Sequence, residues 1–141
     1  GQCPCANQSA AGEGCTNSTG QGATLVTTGT ASVALDGLQF LAAGLPPSKP
    51  AVLFSGVNAV DGGVGQPFKD GLLCTTGQSL RLGVRFASTA GTASWGPGIA
   101  AEGDFAAGTA RFFQVWYRDP GLSVCGFGSN TSAALRVDFS E

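Results

Sequence analysis

The chain has no histidine among its 141 residues, and only 11% of them are charged, against about 25% in an average soluble protein. Without histidine, the usual base that activates a Ser or Cys nucleophile is missing, and so is one of the two common zinc ligands. Charge of neither sign clusters: seven Lys and Arg and nine Asp and Glu are spread along the chain, for a net charge of -2. Nucleic acid would require a run of cations to neutralise phosphates, so no nucleic-acid partner is expected. No apolar stretch approaches the ~20 residues of a membrane helix, so no membrane span is expected.

Small residues stand in place of the missing charge. Glycine numbers 23 and hydrophobic residues make up an ordinary 43%. This is the profile of a turn-rich β protein with one core. Its surface of small polar groups is easily desolvated, which suits packing against another surface. The chain opens Gly1-Gln2-Cys3, which reads as a mature terminus left by cleavage of a leader.

The five cysteines are Cys3, Cys5, Cys15, Cys74 and Cys125. Cys3-x-Cys5 followed by Cys15 lacks the paired C-x-x-C of a zinc site, so disulfides are the better reading. They imply an oxidising, extracellular compartment. An odd count leaves one thiol over, either free or paired with another chain.

Residues 1–22 are polar, rich in Gly and Cys and without periodicity. They read as an N-terminal arm, pinned by a bond from Cys3 or Cys5 to Cys15. Residues 23–141 read as a single β domain. Strands are expected over 23–28, 31–35, 38–42, 51–57 and 71–75, with Asp36-Gly37 as a two-residue hairpin signal. Between Ser79 and Ala87 the alternation places Leu80, Leu82, Val84 and Phe86 on one face, with Arg81, Gly83 and Arg85 on the other. In Arg111–Arg118, Phe113, Val115 and Tyr117 share one face while Phe112, Gln114 and Trp116 share the other. Leu135, Val137 and Phe139 point inward from the last strand. Residues 88–104 read as a small, flexible stretch around Trp95-Gly-Pro-Gly98, and no window has a convincing helical period. The fold expected is all-β: an antiparallel, jelly-roll-like sandwich, with a small barrel as runner-up.

Chemistry-bearing residues are sparse. Lys49 and Lys69 occupy no recognisable catalytic spacing, and nothing brings two of Glu13, Glu102, Asp104, Asp119 and Glu141 together as a glycosidase pair. No enzymatic activity and no obligatory cofactor are therefore expected. The loops Asp61-Gly-Gly and Glu102-Gly-Asp104 are oxygen-rich, making Asp61 and Asp104 candidate Ca²⁺ ligands in the absence of EF-hand spacing; Asx turns are the simpler reading. Trp95, in its Gly-Pro-Gly loop, is the candidate exposed ligand contact, and Trp116 is assigned to packing. Sequons at Asn7, Asn17 and Asn130 are candidate glycosylation sites.

Three ordered blocks resemble a domain common in secreted proteins of planctomycetes and myxobacteria. They are Cys3-Pro-Cys5-x-Asn7 with Gly14-Cys15-x-Asn17-Ser18, Asp70-Gly-Leu-Leu-Cys74 with Arg81-Leu82, and Arg111-Phe-Phe-Gln-Val-Trp-Tyr-Arg-Asp-Pro120 with Cys125, Asn130-x-Ser132 and Leu135-Arg-Val-Asp-Phe139. The resemblance implies a secreted β-sandwich module without an established activity. It also implies pairing of Cys74 with Cys125, and of Cys15 with Cys3 or Cys5. Such modules often end larger proteins; none accompanies this one, so the module itself is expected to be the functional object.

Two functions fit these features. The leading one is a secreted structural subunit that self-associates into a filament, tube or coat, so that its partner is a homo-oligomer or polymer of the same chain. The alternative is a module that binds carbohydrate or a cell surface, with Ca²⁺ as an optional cofactor and glycans as partners.

Overall fold

The computed structural model describes residues 2–121 and 123–141. Twelve strands account for most of the regular structure: β1 (Thr24–Thr28), β2 (Gln39–Ala43), β3 (Pro50–Gly56), β4 (Asn58–Ala59), β5 (Gln66–Phe68), β6 (Gly71–Leu73), β7 (Thr75–Thr76), β8 (Leu80–Phe86), β9 (Ala93–Trp95), β10 (Ala110–Arg118), β11 (Ser129–Thr131) and β12 (Leu135–Asp138). Two short helical turns join them, a 3₁₀ turn at Val60–Gly63 and α1 at Ile99–Gly103.

The strands form two principal antiparallel sheets. The smaller has the order β1-β2-β9. In the larger, β10 is central: β3 and then β8 lie on one side, while β11 and β12 pair with successive parts of β10 on the other. The protein is thus an antiparallel sandwich stapled by two disulfides, as the sequence leads one to expect.

The core lies between the sheets. Phe113 from β10 meets Phe40 from β2 at 4.5 Å between ring centroids. Phe105 and Phe139 complete an aromatic cluster around Phe113, at 5.7 and 6.3 Å. Leu53, Leu82 and Val115 are fully buried beside them. Burying each such side chain stabilises the fold by roughly 1.5–3 kcal/mol.

The structure corrects three local expectations. Asp36-Gly37 does not turn a hairpin, because the Asp36 carboxylate is used elsewhere. It accepts from the amides of Ala100 at 2.8 Å and Ala101 at 3.1 Å, capping the first turn of α1 from a distant loop. Residues 31–35 therefore form a turn, with Ser32 bridging to Ser140. The stretch around Trp95 is not a flexible loop: β9 pairs with β2, placing Trp95 opposite Phe40, and α1 follows.

The third correction concerns β8. Gly83 has φ +104°, and the pairing with β3 shifts register between Val52 and Phe54. One extra residue in one strand is a β-bulge, and glycine adopts the required backbone without steric cost. The bulge reverses the alternation. Leu82 remains in the core, but Val84 and Phe86 turn to the outer face, 58% and 71% exposed.

Candidate ligand-binding face

The residues that carry the sequence motifs meet at one place, where they form a clamp between arm and sandwich. Asn7 donates to the carbonyls of Thr16 at 3.0 Å and Asp70 at 2.9 Å. Asn17 donates to Gly44 O at 2.8 Å and to the Tyr117 hydroxyl at 2.9 Å. Asn130 donates to the carbonyls of Cys15 at 3.2 Å and Thr16 at 3.3 Å. All three asparagines are buried. Their Nδ2 atoms, where a glycan would attach, are engaged in hydrogen bonds within the protein.

Two buried carboxylates complete the clamp. Asp70 accepts from the amides of Phe127 at 2.9 Å and Cys125 at 3.3 Å. Asp119 accepts from the Ser18 amide at 2.9 Å and from the Ser18 hydroxyl. Buried carboxylates are tolerated when backbone donors satisfy them. At the arm's own turn, the Glu13 carboxylate accepts from the Ser9 hydroxyl and the Gly22 amide, which hold its pKa below the usual carboxylate value.

The disulfides follow from this clamp. Cys3 pairs with Cys15, one of the two expected partners. Cys5 pairs with Cys125, and Cys74 carries the unpaired thiol. The pairing of Cys74 with Cys125 is therefore corrected. Asp70 gathers both the turn that carries Cys125 and, through Asn7, the arm that carries Cys5, so these two cysteines meet. Cys74 is held instead by its amide, which donates to Gln114 Oε1 at 3.1 Å. Burial pushes its thiol pKa up, against the smaller opposing effect of Gln114.

With the arm and its cysteines bonded to their own domain, the order of the arm has an intramolecular cause. A cavity of about 440 Å³ lies beneath this arm against the 131–134 segment. Cys74 and Glu13 border it.

The two tryptophans exchange the places expected of them. Trp95 is 1% exposed, and its indole N–H donates to Gly83 O at 2.9 Å, so it is a core residue that braces the bulge. Trp116 projects from the outer face of β10 and is partly exposed. It sits in register with Val52 of β3, which is in register with Val84 of β8. Phe68 meets the Trp116 ring edge-on at 5.4 Å, and the Arg81 guanidinium lies 5.8 Å from its centroid. Among the described residues the Trp116 indole N–H, itself buried, has no acceptor.

Three shallow hollows border this indole. One, of about 160 Å³, lies between Pro50, Val52, Val84 and Arg118. A second, of about 170 Å³, lies between Phe54, Phe68, Ser79 and Arg81. The third, of about 190 Å³, lies between Lys69, Arg118 and Phe127. Each falls short of the ~300 Å³ of a typical small-molecule pocket. Their common wall suits a chain lying across the sheet better than a compact molecule sunk into it.

The candidate calcium ligands are not brought together. Asp61 sits in the 3₁₀ turn at φ 49°, and Asp104 ends α1 at φ 52°. Aspartate is among the few residues that visit this left-handed region readily, which accounts for both positions as turns. Among the described residues no group of three His, Cys, Asp or Glu could hold a metal ion. Among the described residues, too, no helix is long and apolar enough to cross a membrane.

The candidate face around Trp116 was missed in the sequence because its residues come from four strands and intervening turns. One signal was present: Gly83 inside an otherwise alternating strand marks a bulge, and the bulge is what turns Val84 and Phe86 outward. No family model matches the chain, and no curated protein or solved structure shows significant similarity to it.

Proposed function

We propose that this chain is a secreted, non-enzymatic binding module that holds an extended glycan across the outer face of its larger sheet. The observation that carries this reading is the platform centred on Trp116, flanked by Phe68, Val52 and Val84 and bordered by three hollows that share Trp116 as a wall. Contiguous exposed apolar surface rimmed by polar groups marks an interaction site. An indole supplies a flat apolar area at little conformational cost. The two disulfides suit an oxidising, extracellular setting.

The test is titration of a broad set of polysaccharides against wild type and Trp116→Ala. Binding by wild type that is lost or weakened at least tenfold in the variant supports the reading. No binding by wild type to any polysaccharide of the set overturns it.

Self-association through the same face is the second reading. It is favoured by the exposure of Val84 and Phe86 on β8, which ends the larger sheet. Unpaired strand edges with apolar side chains are templates for a second chain. Negative-stain electron microscopy and sedimentation of unreduced protein test it: filaments or tubes that disappear in Phe86→Lys support it, and a monomer at all concentrations removes it.

A further inference from the structure

Resting on the glycan-binding reading, we infer that the ligand is an anionic polysaccharide, whose carboxylate or sulfate groups are met by Lys69, Arg81 and Arg118 around Trp116. The chain as a whole is acidic, with net charge -2. Its charge is nevertheless unevenly placed. Three of its seven cations border the hollows at Trp116, and no Asp or Glu lines any of the three.

The acidic neighbours of these cations in sequence are turned away. Asp70 follows Lys69 and Asp119 follows Arg118, but both carboxylates are buried in the clamp and satisfied by hydrogen bonds from Ser18, Cys125 and Phe127. Among the described residues the only ion pair is Arg136 with Asp138, at the far end of β10 from Trp116, where Arg136 lies over Phe112 and Asp138 is already paired. Lys69, Arg81 and Arg118 are all exposed, and among the described residues none of them has a carboxylate partner.

Unpaired cations beside an apolar platform are electrostatically complementary to a chain that alternates sugar rings with anionic groups. The ring lies against Trp116 and Val52 while its substituents reach the cations on either side. Arginine is suited to the work because its fork of N–H donors matches a carboxylate or sulfate. A neutral glycan would leave all three charges without a counter-group.

The experiment measures binding to matched pairs that differ only in charge: dextran sulfate against dextran, and polygalacturonate against its methyl ester. The expected result is that the anionic member of each pair binds tenfold or more tightly. That margin should shrink as salt rises from about 50 to about 500 mM. Arg81→Gln and Arg118→Gln, both at exposed positions, should each lower affinity for the anionic member about tenfold and so narrow its margin over the neutral member of the pair. Equal binding within each pair overturns the inference while the glycan reading stands. Absence of binding to all four overturns the glycan reading itself. Equally tight binding of single-stranded oligothymidylate, weakened by the same two substitutions, overturns the assignment to polysaccharide, because stacking and cations also serve single-stranded nucleic acid.

Discussion

The side-chain amide of Asn17 donates to the Tyr117 hydroxyl at 2.9 Å, fastening the N-terminal arm to the central strand of the larger sheet across 100 residues of sequence. Both groups are buried. Tyr117→Phe removes the acceptor and leaves Asn17 with only Gly44 O for its amide hydrogens. The expected loss is about 1–3 kcal/mol in urea unfolding. A loss below about 0.5 kcal/mol would mean that this bond adds little to the other hydrogen bonds and the disulfides that hold the arm.

The same hydroxyl sets an alkaline limit on stability. Burial raises the Tyr117 pKa well above its ordinary value of 10.0, against a smaller lowering by Asn17. The folded state therefore retains the proton where the unfolded state has lost it, and stability falls with rising pH. This contribution is fully present below about pH 10, the unfolded value, and is lost as pH climbs toward the folded value. Unfolding free energy should be insensitive to this group up to about pH 9 and should decline beyond about pH 10. In Tyr117→Phe that part of the decline should vanish.

Peptide mapping without reduction should recover Cys3 linked to Cys15 and Cys5 linked to Cys125, with a single thiol at Cys74. Raised in pKa by burial, this thiol should react slowly with iodoacetamide in the folded protein and rapidly in denaturant. The Cys5–Cys125 bond closes the longer loop, with a sequence separation of 120. On loop entropy alone it stabilises by about 5 kcal/mol. The double variant Cys5→Ser with Cys125→Ser should approach that loss and should release the arm to limited proteolysis. Recovery of a Cys74–Cys125 peptide would contradict the arrangement of the clamp.

The tryptophans offer an internal comparison. Trp95→Ala removes a ring that is 1% exposed and hydrogen-bonded to Gly83 O, and should cost roughly 3–5 kcal/mol. Trp116→Ala removes a partly exposed ring whose N–H has no acceptor among the described residues, and should cost about 1–2 kcal/mol. Thermal unfolding of both variants beside wild type reads the difference. The opposite order would show that Trp116 is the core residue of the pair.

Much of the architecture was legible in the chain. Phe113, Val115 and Tyr117 alternate with Gln114 and Trp116, and the structure buries the first set between the sheets. That pattern depends only on the period of two along a strand. What escaped notice depends on contacts distant in sequence. Asp36-Gly37 has the composition of a hairpin turn, yet α1, more than sixty residues later, takes the Asp36 carboxylate. Asn7, Asn17 and Asn130 have the local pattern of sequons, and only the folded chain uses their amides to bolt the arm down.

Composition and alternation by themselves determined that this is a disulfide-bearing antiparallel β protein with one aromatic core, because the hydrophobic effect acts on local pattern. Tertiary structure alone decided which cysteine is left over, which tryptophan faces solvent, and that Lys69, Arg81 and Arg118 border hollows lined by no Asp or Glu among the described residues. A disulfide partner and a charged site are relations in space. Here a single bulge at Gly83 and a clamp at Asp70 place residues from both ends of the chain side by side.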